Sequence, residues 1–434
     1  MRRSLLIAVT LLLIGAQSAY AAKGMEIAVQ DDPVFLSRSY YDRERALQQA
    51  RDMGAVRLRV NMVWEDVANG SEQKDPPVPL TYDWAAYDGL IDAAARYGIR
   101  VQLTLTGPAP AYATYNRRRG VYGPRASAYG DFARAAAAHF KGRVDRYSVW
   151  NEANYVSWMQ PFDKAPALYR ELYEAAYKQI KRTDKRALVL IGETSPYAIR
   201  KRAIAPLEFL RDVTCAIGGQ AGGDTSGDVL DPGVDPDTED ARASRSARVR
   251  AAKVKFKPPK LTRGACKPLR ADGYAHHPYD YRHKPDYAYR GADNATMGSL
   301  DRLTGTLQSL ARIRALTTVR GNKPLPVYLT EYGYFQSGKY ALGDSVRSGY
   351  LTTAFRLAQR DKNVAQMLQF SLVTPPESFP GGYFDLSVIR GDGTPTLAYE
   401  ALRNWAAAAA KRGQIKRPGG ALALPPAPTG RRGR

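Results

Sequence analysis

Cysteine is nearly absent from this 434-residue chain: Cys215 and Cys266 are its only two, and they form no Cys-x-x-Cys pair. That removes a thiolate zinc site and a dithiol redox motif from consideration. A single Cys215–Cys266 disulfide in an oxidising compartment remains, with two buried free thiols as the alternative. Long apolar runs are also missing. Only Leu5–Ile14 qualifies, and it is too short for a stable bilayer span. Arg2 and Arg3 precede it, and Ala19-Tyr20-Ala21 follows with the small-x-small spacing of a cleavage site. Residues 1–21 therefore read as a signal peptide cleaved near Ala21, and the mature chain as secreted, extracellular or periplasmic, without stable membrane insertion.

Acidic residues are few beside basic ones, 42 against 64, for a formal charge of +22. Such an excess points to an anionic partner when it is concentrated on a folded surface. Here it is not. Residues 241–270 hold eleven Lys or Arg and no acid, directly after 221–240 with seven acids and no base, and the tail 411–434 adds seven more basic residues. Charge runs of this kind are solvated segments more often than recognition surfaces. With no zinc-ligand spacing, basic zipper or RNA-binding aromatic signature, nucleic acid is not an expected partner.

What is present is alternation. Strand-like runs cover 25–30, 56–64, 100–107, 146–150, 187–192, 271–277, 326–331 and 364–373. Helical patterns follow them at 43–53, 82–97, 129–140, 167–182, 206–215, 299–315, 345–360 and 396–410. In the second, Tyr87, Leu90, Ile91 and Ala94 share a face and Gly98 ends it. Eight β-then-α units imply parallel strands, which need helical crossovers. No Gly-x-Gly-x-x-Gly follows the first strand, so the expected architecture is a closed (β/α)8 TIM barrel over 22–410, not an open dinucleotide fold. A long disordered or loosely folded insertion, 216–270, separates the fifth helix from the sixth strand and should leave the barrel's non-catalytic end. Residues 411–434 read as a basic, Pro/Gly-rich disordered tail.

Two strands end unusually. "YSVWNEANY" runs from the fourth strand onto Asn151 and Glu152, and "PVYLTEYGYF" runs from the seventh onto Glu331. In such a barrel the C-terminal strand ends form the reactive mouth, where strands four and seven can face each other. Two carboxyls so placed are what glycosidic cleavage requires: one protonates the leaving oxygen, and the other attacks the anomeric carbon or activates water.

At these residues the chain resembles clan A glycoside hydrolases, families five and thirty-nine above all, from about 25 to 405 apart from the insertion. The resemblance implies Glu152 as acid/base and Glu331, in "LTEYG", as nucleophile. Asn151 inherits a sugar 2-hydroxyl contact. Arg59, in "RVNMVW", matches the arginine that supports the nucleophile, and His277 and Tyr279, in "HHPY", match a His-x-Tyr whose tyrosine bonds it. Ala153 replaces a frequent proline, and Phe370 stands where a tryptophan commonly floors the sugar site. Trp64, Tyr112, Trp158, Tyr334 and Phe379 fall at strand ends or in the following loops and are candidate stacking platforms. His276, Glu193 and His283 lie near strand ends without an assignable role. The expected protein is a secreted retaining hydrolase of β-linked poly- or oligosaccharides, a monomer, using no metal and no organic cofactor. A transglycosylase, a non-catalytic carbohydrate-binding barrel and an anion-binding surface protein are the alternatives.

Overall fold

The structure, a computed structural model, describes residues 24–218, 256–380 and 384–428. Eight parallel strands close into a barrel: β1 (Glu26–Gln30), β2 (Arg57–Val63), β3 (Arg100–Thr106), β4 (Arg146–Val149), β5 (Leu188–Thr194), β6 (Gly273–His276), β7 (Val327–Leu329) and β8 (Val364–Phe370). Each pairs with its neighbour in sequence, and β1 pairs with β8 to shut the ring. The main helices are α1 (Arg43–Asp52), α2 (Ala85–Arg96), α3 (Ala126–His139), α4 (Ala165–Thr183), α5 (Pro206–Thr214), α6 (Leu300–Arg312), α7 (Asp344–Arg360) and α8 (Leu397–Lys411). One follows every strand, as the alternation predicts.

The helices form where caps and apolar spacing agree. Asp42 Oδ1 accepts from Arg45 N at the start of α1, and Thr396 Oγ1 from Tyr399 N at the start of α8. In α4, Tyr169, Leu172, Tyr173, Ala176 and Ile180 recur every three or four residues and are all buried.

The strands alternate in a different sense. In β2, Leu58, Val60 and Met62 join the apolar layer beneath the helices. Arg57 and Arg59 take the other face, Arg57 donating to Glu26 of the neighbouring β1 and Arg59 reaching Asn151 beyond β4. In β3, Val101, Leu103 and Leu105 pack outward, while Gln102 Nε2 donates to Ser148 Oγ of β4. The barrel is thus apolar outside and largely polar inside, where some buried groups pair across strands while others, such as the Thr104 and Thr106 hydroxyls, have no hydrogen-bond partner.

At the N-terminal end of the strands, the foot of the barrel, Glu26 is enclosed by cations. Arg57 Nε lies 2.9 Å and Arg146 Nη1 2.8 Å from Oε2, and Lys416 Nζ lies 2.9 Å from Oε1. Arg57 also meets Asp145 at 2.7 Å. Burial alone would favour a neutral Glu26, but Arg57 and Arg146 outweigh it and hold the carboxyl far below its usual range.

The foot also holds the described ends of the insertion and part of the tail. Residues 219–255 of the insertion lie outside the described residues, but its ends are regular. Ala216–Gly218 pairs antiparallel with Leu261–Arg263, and Leu269–Ala271 pairs parallel with Leu316–Thr318. Cys215 and Cys266 form a disulfide, with Cα atoms 5.8 Å apart. Backbone pairing and a covalent bridge order these ends without apolar periodicity, the signal on which the loose reading rested. In the tail, Ile415 is buried and bridges Met25, Lys416 binds Glu26, and Leu422 N donates to Ala95 O. Residues 414–424 therefore lie across the foot. Among the described residues no helix is long and apolar enough to cross a membrane.

Candidate active site

The mouth is built where β2, β4, β5, β6 and β7 end, and Arg59 is its centre. This wholly buried guanidinium donates from Nη1 to Glu331 Oε1 at 2.7 Å and to Gln30 Oε1. Nη2 donates to Asn151 Oδ1 at 2.7 Å and lies 3.2 Å from Glu193 Oε2. One side chain thereby ties β2 to the ends of β4, β5 and β7. Tyr279 OH donates to the other oxygen of Glu331 at 3.1 Å. Both Glu331 oxygens are thus held, one by a guanidinium and the other by a hydroxyl.

His277 connects the acids. Its Nδ1 lies 2.9 Å from Glu152 Oε1 and 3.6 Å from Glu331 Oε2, and its Nε2 lies 2.8 Å from Glu193 Oε2. Glu152 and Glu331 flank one ring nitrogen, so those two oxygens are separated by at most about 6.5 Å, the two contacts end to end. That bound admits the roughly 5–5.5 Å of retaining glycosidases. The side chains of Glu152 and Glu331 keep 16% and 12% exposure, while those of Glu193 and His277 keep none. Only the first two can touch a ligand entering the mouth.

Burial by itself would strip the His277 ring of charge. Glu331, Glu152 and Glu193 outweigh it and lift the ring to about 9. Its neighbour behaves oppositely. His276 faces Thr194 Oγ1 and the Ala295 carbonyl, burial dominates, and the ring falls to about 3. Glu193, buried among Arg59, His277 and the Thr330 hydroxyl, is held at about 2. There burial raises it, and Arg59 first, then His277, overcome that.

The backbone here departs from ordinary conformations. Trp150 (φ 61°), Glu152 (φ 38°) and Glu193 (φ 50°) all occupy the left-handed region without being glycine. Each costs on the order of 1–3 kcal/mol and persists only where surrounding contacts impose it. Glu152 N donates to Glu193 O at 2.8 Å, which couples two of the three. Gly107 makes room for the third, since a Cβ there would lie 2.5 Å from the Trp150 ring.

The sequence-predicted set divides cleanly. Arg59, Asn151, Glu152, His277, Tyr279 and Glu331 come together in one connected cluster. Trp158 is half-buried in the loop after β4, and Phe370 is half-buried at the end of β8 with its ring 6.0 Å from that of Phe384. These two remain available to a ligand. Trp64 does not: it is fully buried and stacks on Phe132 at 5.4 Å. Tyr334 is fully buried as well, its hydroxyl donating to His283 O. Proximity to a strand end put both among the platforms, but their rings pack into the layer behind the mouth. Tyr112 is buried too, at 5% exposure. Glu193 also belongs to this cluster, although sequence reasoning left it without a role. Among the described residues, no group of three or more His, Cys, Asp and Glu is arranged to hold a metal ion.

No family model matches this sequence, and no curated protein matches it. Solved structures do. A family 39 glycoside hydrolase from Bacteroides cellulosilyticus WH2 aligns with a TM-score of 0.58 at 17% identity, over 89% of this chain and 64% of that one. The exo-β-1,4-mannosidase Op5Man5 from Opitutaceae bacterium strain TAV5 aligns at 0.52 with 13% identity, over 92% and 62%. A GH5_18 protein from Streptomyces cattleya, in complex with GlcNAc, aligns at 0.52 with 14% identity, over 92% and 83%. The chain has the fold of the clan A glycoside hydrolases. It spans less than two thirds of the length of the first two of these structures. At such identities the likeness is one of fold, and the chemistry has to be argued from the mouth itself.

Proposed function

We propose that the chain is a retaining glycoside hydrolase, with Glu331 as nucleophile and Glu152 as acid/base. One observation carries this reading: two part-exposed carboxyls share a single imidazole nitrogen at 2.9 and 3.6 Å, inside a clan A barrel mouth. Glu331, anchored by Arg59 and Tyr279, attacks the anomeric carbon as the bond to the leaving oxygen breaks and Glu152 gives that oxygen a proton. Water then displaces Glu331, with Glu152 taking the water's proton. In this reading Asn151, held by Arg59, binds the sugar 2-hydroxyl, and Trp158 and Phe370 stack on its C–H faces.

β-Linked glycosides are the proposed substrates. Support comes from the similar fold of the exo-β-1,4-mannosidase and from the matched motif residues. Export is part of the same reading: the Cys215–Cys266 bridge suits an oxidising compartment, and residues 1–21 carry the charge, apolar run and cleavage spacing of a signal peptide.

The test is to screen the purified protein on activated aryl β-glycosides and on plant and bacterial polysaccharides. Glu331→Ala is then assayed on whichever substrate is cleaved, with and without azide. The expected result is loss of turnover, restored by azide as a glycosyl azide of inverted configuration. A Glu331→Ala enzyme that keeps the wild-type rate contradicts the assignment.

A further inference from the structure

Glu193 is a buried carboxylate that the mechanism above does not use, and an irregularity in its strand aims it at the site. The register of β5 against β6 shifts between Gly192 and Thr194. Leu190 packs with Ala275 and Tyr328, apart from the layer beneath the helices to which Ile191 belongs. Strict alternation from Leu190 would therefore turn Glu193 away from the interior. The bulge, with Gly192 at φ 117° and Glu193 at φ 50°, turns it back toward the mouth.

We propose that Glu193 is a positioning residue for the acid/base step: by accepting the Nε2–H of His277 it reserves His277 Nδ1 for Glu152, so that imidazole and carboxyl share the one proton the step consumes. This rests on the glycosidase reading.

The contacts dictate the arrangement. Glu193 has no exposure and cannot meet substrate. Its Oε1 accepts from Arg59 Nε at 3.4 Å, and its Oε2 faces Thr330 Oγ1 at 2.6 Å, His277 Nε2 at 2.8 Å and Arg59 Nη2 at 3.2 Å. Beside an arginine that never loses its charge, Glu193 stays ionised and can only accept. His277 Nε2 must then keep its hydrogen in every state of the ring, and the proton that comes and goes is the one on Nδ1. That nitrogen faces Glu152 from β4 and Glu331 from β7. The remaining neighbours are Arg59 from β2, Tyr279 with its ring centre 6.4 Å away, and His276, which is neutral and turned to Thr194 and Ala295.

The proton count closes. Before cleavage the Glu152–His277 pair holds one shared proton. It passes from Glu152 to the leaving oxygen as the bond from the anomeric carbon to that oxygen breaks and the bond to Glu331 forms. The pair is left as a Glu152 carboxylate beside a neutral ring carrying Nε2–H. As water attacks the anomeric carbon and the ester to Glu331 breaks, the pair takes the water's proton and is restored.

Histidine ¹⁵N NMR on the full chain, with four histidines to assign, tests this without substrate. The wild-type His277 ring should titrate on the alkaline side of neutrality and, once neutral, keep its proton on Nε2. In Glu193→Gln the midpoint should fall by about one pH unit or more, a tenfold or greater loss of proton affinity. The alkaline limb of kcat/KM should move with it, and Glu193→Asp, which keeps the charge, should restore both. A general loosening of the fold would lower the rate without moving the limb. A smaller shift in Glu193→Gln, a Glu193→Asp as displaced as Glu193→Gln, or a neutral wild-type ring protonated on Nδ1 overturns the proposal. The last readout needs no variant, so it decides even if Glu193→Gln fails to fold. Should no glycoside be turned over, the hydrolase reading falls and the ring still answers for Glu193.

Discussion

The two ends of the barrel use the same residue types in opposite proportion. At the foot, Glu26 is shared by Arg57, Arg146 and Lys416, with Asp145 on the outer side of Arg57. At the mouth, Glu152, Glu193 and Glu331 surround Arg59 and the His277 ring. Where cations are in excess, the carboxylate is ionised under all ordinary conditions and does nothing but hold strands together. Where carboxylates are in excess, one site in the cluster must carry a proton, and that proton can be given away. A buried ion cluster is structural or reactive according to which charge is in surplus.

Removing a carboxylate from each end is the strongest way to break this contrast. Glu331→Ala should lower turnover by roughly 10⁴-fold or more, since a nucleophile is not replaced by its surroundings. Glu26→Gln at the foot should leave kcat/KM within about twofold. Its cost is stability: Arg57 and Arg146 lose their shared partner, and stripping one member from a buried ion cluster destabilises by about 3–5 kcal/mol. Denaturant unfolding and steady-state kinetics on the two variants decide this, and a Glu26→Gln enzyme that is stable but inactive would erase the distinction.

A smaller effect lies in the pH dependence of stability. The folded-state titration of His277 is raised from 6.5 to about 9. Its contribution is therefore complete below about pH 6.5 and lost as pH rises through 9, on the order of 2 kcal/mol between pH 7 and 9. Asp31, which burial lifts to about 7, has finished most of its change by the start of that window. Glu26 is lowered and loses its contribution only on the acid side. Thermal melts should show the alkaline loss disappearing in His277→Asn and persisting in Glu26→Gln.

The smallest expected effect separates two tryptophans. Trp158→Ala should raise KM several-fold, about 1 kcal/mol of lost stacking, with little change in melting temperature. Trp64→Ala should do the reverse, lowering stability by about 3–5 kcal/mol through a core cavity. A KM effect at Trp64 without destabilisation would return it to the sugar site.

Much of the fold was legible because its causes are local. Period-two strands, capped amphipathic helices and their alternation can be read from neighbouring residues, and so can a strand that ends on Asn151-Glu152 or on Glu331. The unread parts depend on residues distant in sequence. Glu193 enters the mouth only because β5 bulges against β6, a register event between strands separated by the insertion. Trp64 and Tyr334 stand at strand ends like true platforms, and only the packing of Phe132 and of His283 shows them covered. The tail looked unstructured because its partners, Met25, Glu26 and Ala95, lie almost the whole chain away.

The central claim, that Glu331 forms a covalent bond to sugar while Glu152 handles the proton, has one most direct test. A proton NMR time course of the wild-type enzyme on an aryl β-glycoside that it cleaves reads the anomeric configuration of the first product before mutarotation. The account predicts the β-anomer, the configuration of the substrate retained through two displacements. A first-formed α-anomer would mean a single displacement by water and would contradict it.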